Sequence, residues 1–125
     1  FQGDAALLSI VKEGKRSFIV GSKESVALSE EHKVVTDVKR EEMYRQPLKS
    51  KVVYLKMSCD FRLHQDLATL SYSVDGKNWV KVIRDFKMIF DYRRFFMGTR
   101  FGIYNYATKS KGGYVDVENF TYVKL

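Results

Sequence analysis

Along most of the chain, apolar and polar residues alternate with a period of two. Between Lys51 and Phe61, Val53, Leu55, Met57, Cys59 and Phe61 share one side, while Val52, Tyr54, Lys56, Ser58 and Asp60 share the other. Side chains of an extended strand point alternately to opposite faces, so this run predicts a long half-buried strand. Ala68, Leu70, Tyr72 and Val74 repeat the pattern against Thr69, Ser71 and Ser73. Asp75-Gly76 separates that strand from a short one at 78–82. Both turn positions tolerate positive φ, so a hairpin is expected there. Further strands are expected at 5–11, 15–21, 33–40, 99–107 and 113–123, with Glu13-Gly14 turning between the first two. In the last of these, Val115 and Val117 have one parity and Phe120 and Tyr122 the other. A bulge near Glu118-Asn119 would restore a single core face. Ser25 to Lys33 could hold a short helix, although 24–31 reads equally well as loop. Pro47, the sole proline, is expected in a loop. Regularly spaced strands with turn signals indicate an all-β sandwich or barrel.

Composition narrows this reading. The 125 residues suit one compact domain spanning 1–125, with Phe1-Gln2-Gly3 resembling the remnant of a cleavable tag. No run reaches the roughly 20 apolar residues of a membrane helix, so a soluble domain without a membrane partner is expected. The first residues show no signal-peptide pattern. Cys59 is the single cysteine, so no intramolecular disulfide can form. The net charge of +7 raises the prospect of a polyanion partner. The bases are interleaved with acids, however, as in Lys39-Arg40-Glu41-Glu42, and solvated strand faces account for most of them. The densest basic cluster is Arg93-Arg94 with Arg100, beside Phe95-Phe96.

The candidate chemistry is sparse. His64-Gln65-Asp66 is the one short-spaced histidine–carboxylate pair, and its loop position favours a solvated histidine over a base or ligand. One cysteine cannot build a Cys/His metal site. Nucleophile elbow, phosphate loop and dinucleotide fingerprint do not occur. Most aspartates fall where turns are expected. Asp116 and Glu118 share a face and are the only suggestion of a structural calcium; exposed strand charges are the simpler reading, and no cofactor is expected. Asn119-Phe120-Thr121 matches a glycosylation sequon within a strand pattern.

Aromatic residues crowd the second half of the chain. Such rings either stack on sugars or fill a core, where each buries a large area. Tyr72, Phe101 and Phe120 are expected in the core. In Phe101-Gly102-Ile103-Tyr104-Asn105-Tyr106 one parity fills the core, and the glycine on the other lets a neighbouring layer approach. In Asp91-Tyr92-Arg93-Arg94-Phe95-Phe96 not every side chain can point inward. Tyr92, Arg93, Arg94, Phe95 and Phe96 are therefore the candidates for contact with a carbohydrate or a partner.

Two stretches carry a family resemblance. Ala68-Thr69-Leu70-Ser71-Tyr72-Ser73-Val74-Asp75-Gly76-Lys77-Asn78-Trp79 resembles a hairpin shared by several sugar-active sandwiches. More specific is Phe96-Met97-Gly98-Thr99-Arg100-Phe101-Gly102-Ile103-Tyr104-Asn105-Tyr106-Ala107-Thr108-Lys109 followed by Gly112-Gly113-Tyr114-Val115-Asp116-Val117-Glu118-Asn119-Phe120. It is similar to the C-terminal domain of glycoside hydrolase family 43, the β-xylosidase and α-arabinofuranosidase group. The resemblance runs from about Val52 to the end, with a looser match at Gly3-Asp4-Ala5-Ala6-Leu7-Leu8 and the strand after it. It implies a concanavalin-like jelly-roll β-sandwich of antiparallel strands.

The family's upstream strands and its catalytic five-bladed propeller have no counterpart here. The chain is then a fragment, a reduced version, or a sandwich completed by another segment. In each case an uncovered or partner-covered edge is expected near the N-terminal strands. The resemblance further implies an accessory role beside a catalytic β-propeller, in cis or in trans, with 91–96 as the candidate loop at the active-site mouth. The parent would act on plant polysaccharide, xylan or arabinan side chains; the compartment is left open, with an exported or periplasmic parent as one option. An autonomous carbohydrate-binding module ranks second and a nucleic-acid or polyanion binder third. A catalytic role for this chain by itself ranks last.

Overall fold

A computed structural model describes residues 3–31, 33–89 and 98–124. Six strands are formed: β1 (Ala5–Glu13), β2 (Arg16–Leu28), β3 (Val35–Leu48), β4 (Tyr54–Asp60), β5 (Leu67–Ser73) and β6 (Val80–Lys87). They make two antiparallel three-stranded sheets, β1-β2-β3 and β4-β5-β6. Among the described residues there is no helix. The stretch 25–33, expected as a short helix or a loop, instead continues β2 to Leu28, where Val26 pairs with Val38.

Local chemistry explains the connections. Gly14 takes φ +60, a conformation open to a residue without Cβ, and Glu13 pairs with Arg16 across the turn. The β5–β6 connection is longer than a two-residue hairpin: β5 ends at Ser73 and β6 begins at Val80. Gly76 takes φ +72, whereas Asp75 serves through its carboxylate. Oδ1 accepts from the backbone N–H groups of Lys77 and Asn78, each at 2.8 Å, and Oδ2 accepts from the Asn78 amide at 2.7 Å. Pro47 lies within β3, not in a loop. It pairs with Phe18 near the end of an edge strand, where its missing N–H can face away from β2.

The sheets meet face to face. Gly21 sits against the side chains of Val82 and Ile83, so a methyl group there would collide with Val82. Ile19, with the same parity on β2, is fully buried, and Ile83 is 1% exposed. Ala68 and Leu70 of β5 complete this centre. On β4, Leu55 and Met57 pair with Tyr72 and Leu70 and so share the inner face. They are nevertheless half exposed, because the facing sheet does not extend over them.

The C-terminal part departs from the sequence pattern. Residues 98–124 form no strand, although 99–107 and 113–123 alternate as strands do. Phe101 and Phe120, expected in the core, are exposed. The bulge expected at Glu118-Asn119 has no ladder to interrupt. Alternation fixes which side chains share a face, but a strand exists only where a neighbouring backbone supplies its hydrogen bonds.

Candidate functional site

The candidates Tyr92, Arg93, Arg94, Phe95 and Phe96 lie outside the described residues. On the two sides of that segment in sequence stand Ile89 and Gly98, and both line an open cleft of about 440 Å³. Phe61, Asp66, Lys87 and Thr99 also border it. The loop between β4 and β5 forms one wall, and its shape follows from specific bonds. Asp60 accepts from the backbone N–H and guanidinium of Arg62, at 3.0 Å and 2.6 Å. These bonds hold the Asp60 carboxyl down at about 2, with the Arg62 side chain the larger influence. Met88 donates its backbone N–H to the Asp66 carbonyl at 2.7 Å, and Lys87 reaches the His64 and Gln65 carbonyls. Lys87 is thus engaged in closing the loop. His64 takes φ +67 and Asp66 φ +47. This geometry makes the His64-Gln65-Asp66 stretch a tight turn.

A second surface lies on the outer side of β4-β5-β6. Lys56 pairs with Ser71, and Ser71 with Lys81. The Lys56 ammonium sits 4.1 Å from the centre of the Trp79 ring. The Tyr54 ring covers Gly76, where an added Cβ would lie 3.4 Å from it. Ser73 is 1% exposed beneath this cluster; its hydroxyl donates to Asp75 at 2.8 Å and accepts from the Gly76 N–H at 2.9 Å. The hydrogen bonds converging on Asp75, those from the Asn78 and Lys77 backbone foremost, hold its carboxyl below the usual carboxylate range. The result is a rigid hairpin tip presenting an aromatic–basic pair. The ammonium lies over the ring face, so the two form a cation–π contact with each other.

Three further contacts were not signalled by any local motif. Arg45 lies over the Phe18 ring at 4.3 Å and is held there by Glu13 at 2.7 Å and Glu42 at 3.3 Å. Glu24, buried on β2, pairs with Arg40 of β3. That pairing raises the Arg40 guanidinium, and the Tyr106 hydroxyl adds to the effect by accepting a hydrogen bond from it. Phe101 meets Phe61 edge-on, with ring centres 6.3 Å apart. The run 101–106 therefore touches the body at both ends, beside β4 and on β3. Alternation along the sequence cannot reveal pairings between segments so far apart.

Among the described residues, no group of three His, Cys, Asp or Glu side chains is placed to hold a metal ion. Asp116 and Glu118 are exposed on the unpaired C-terminal segment. Burial pushes the Cys59 thiol upward, away from the reactive thiolate form. No helix among the described residues is long and apolar enough to cross a membrane.

Two facing antiparallel sheets of this kind define a concanavalin-like β-sandwich. The family model described as the beta xylosidase C-terminal concanavalin A-like domain matches residues 8–123, and the chain belongs to that family. The match runs through the exposed segment 101–123 as well as through both sheets. No curated protein and no solved structure matches the chain.

Proposed function

We propose that this domain is the noncatalytic accessory sandwich of a family 43 glycoside hydrolase, of the xylosidase or arabinofuranosidase type. In this role it supports a catalytic β-propeller and the mouth of its active site, on substrates drawn from xylan or arabinan side chains. The observation that carries the reading is the family match over 8–123. The half-exposed inner face of β4 adds to it: Leu55 and Met57 are apolar side chains of the kind that a packing partner covers. Segment 91–96, which falls in the sequence between the cleft residues Ile89 and Gly98, is the one proposed to approach the active-site mouth, with Tyr92 and Phe95 as its aromatic contacts.

The Lys56–Trp79 pair favours a second reading, in which the domain itself binds oligosaccharide. Titration of the isolated chain with xylo- and arabino-oligosaccharides, followed by Trp79 fluorescence and calorimetry, separates the two. The accessory reading expects no saturable heat in either series. It also expects the melting temperature to rise when the parent's catalytic propeller is added. Saturable binding would instead make the chain a carbohydrate-binding module. Binding that falls steeply with salt and extends to any polyanion would point to the basic surface alone.

A further inference from the structure

Two lysines share the outer face of β4-β5-β6. Lys56 of β4 pairs with Ser71 of β5, and Ser71 with Lys81 of β6. The three form one row across the sheet, on the side opposite to the buried Leu70. Neighbouring strands lie about 4.8 Å apart, so the two lysine backbones are about 10 Å apart. Their long stems let both ammonium groups reach a single group held above Ser71. Among the described residues, neither lysine is ion-paired. Two acids of the same sheet are engaged elsewhere. Asp60 is clamped by Arg62, and Asp75 accepts from Ser73, Lys77 and Asn78. The positive charge of the row is therefore unbalanced, in a chain of net charge +7.

Ser71 itself is 3% exposed, and among the described residues its hydroxyl has no hydrogen-bond partner. A buried hydroxyl left unpaired is costly. This one belongs to the outer face, between two exposed lysines, so it becomes accessible when those long side chains move.

Two rings stand beside the row. Tyr54, opposite Ser73, is half exposed and rests on Gly76. Trp79 carries the Lys56 ammonium 4.1 Å from its ring centre. An exposed cation–π contact is weak beside a charge-assisted hydrogen bond to a carboxylate. An anion arriving between the lysines draws the Lys56 ammonium off the ring. The indole face and the Ser71 hydroxyl are then both uncovered.

We propose that this face binds an acidic sugar, the carboxylate of a uronic acid unit carried on a polysaccharide. Lys56 and Lys81 hold the carboxylate, Ser71 meets a ring or hydroxyl oxygen, and Trp79 and Tyr54 stack on the sugar. The proposal goes beyond the accessory role and rests on the reading in which the domain itself holds oligosaccharide. Charge complementarity selects the ligand, because a neutral pentose chain offers nothing to the two ammonium groups.

The test is calorimetry and Trp79 emission on the full chain, with three probes. They are xylotetraose bearing one glucuronic acid, unsubstituted xylotetraose, and polyphosphate. The acidic sugar is expected to bind at least about tenfold more tightly than the neutral one, and to change Trp79 emission as it saturates. Lys81→Gln should bring the acidic sugar down to the neutral level with the melting temperature unchanged, since Lys81 is exposed and unpaired among the described residues. Equal binding of the two sugars would overturn the proposal and leave the oligosaccharide reading standing. Silence towards both would overturn the two together. Polyphosphate binding as tightly as the acidic sugar would also overturn it, as would selectivity that survives Lys81→Gln.

Discussion

The phenol oxygens of Tyr44 on β3 and Tyr72 on β5 lie 3.0 Å apart, and this hydrogen bond joins the two sheets. The rings are tilted at 56° with centres 6.1 Å apart, so the pair packs as well as bonds. Burial, and then the bond to Tyr72, raise the Tyr44 hydroxyl to about 12. Tyr44→Phe or Tyr72→Phe should each cost about 1 kcal/mol by urea unfolding, and the double variant little more than either single. A raised folded-state value means that the stabilising contribution is whole below the ordinary value of 10. It is lost as pH rises from there towards about 12. Urea midpoints across that window should fall less steeply for Tyr44→Phe than for the parent. An equal fall would remove Tyr44 from the account.

The acid limb belongs to Asp75 and Asp60. Both carboxyls are held down by hydrogen bonds, Asp60 to about 2 and Asp75 lower still. A depressed value stabilises above the ordinary value of 3.8 and is lost as pH falls below it. Thermal midpoints of Asp75→Asn should depend less on pH below that point than those of the parent, with Asp60→Asn giving a smaller change. An unchanged acid profile in Asp75→Asn would mean that the loop is held without its carboxylate.

Gly21 tests the contact between the sheets. Gly21→Ala directs a methyl group into Val82, and forced overpacking of this kind costs about 1–3 kcal/mol. Adding Val82→Ala should recover part of that loss, whereas independent sites would simply add. Urea unfolding of the three variants decides between these outcomes.

Lys56 tests the hairpin face. Lys56→Gln removes the ammonium from above Trp79 and should cost about 0.5–1 kcal/mol, together with a change in Trp79 emission. Emission identical to the parent's would show that the ring does not sense the cation in solution.

Sequence and structure agree where pairing is local. The period of Lys51–Phe61 and Ala68–Val74 foretold β4, β5 and the side on which Leu55, Met57 and Leu70 meet. The turns at Gly14 and Gly76 were equally plain, because the positive φ there favours glycine. The quoted C-terminal motif indicated the family, and the match over 8–123 bears that out. Arg45 on Phe18, Glu24 with Arg40 and Tyr106, and Tyr44 with Tyr72 were out of reach, since each joins residues brought together only by folding. The candidates at 92–96 rested on composition, and they lie outside the described residues.

Alternation, turn chemistry and the family motif, all properties of the sequence by itself, determined that this is an antiparallel β-sandwich domain. They could not determine which alternating segments would find a partner. Phe101 and Phe120 have the pattern of core residues, yet they are exposed because no neighbouring strand pairs with their backbone. Leu55 and Met57 face inward, yet they stay half uncovered because the opposite sheet stops short of β4. A period of two assigns a side chain to a face, and burial requires a second layer over that face. Only the arrangement of the whole chain supplies that layer.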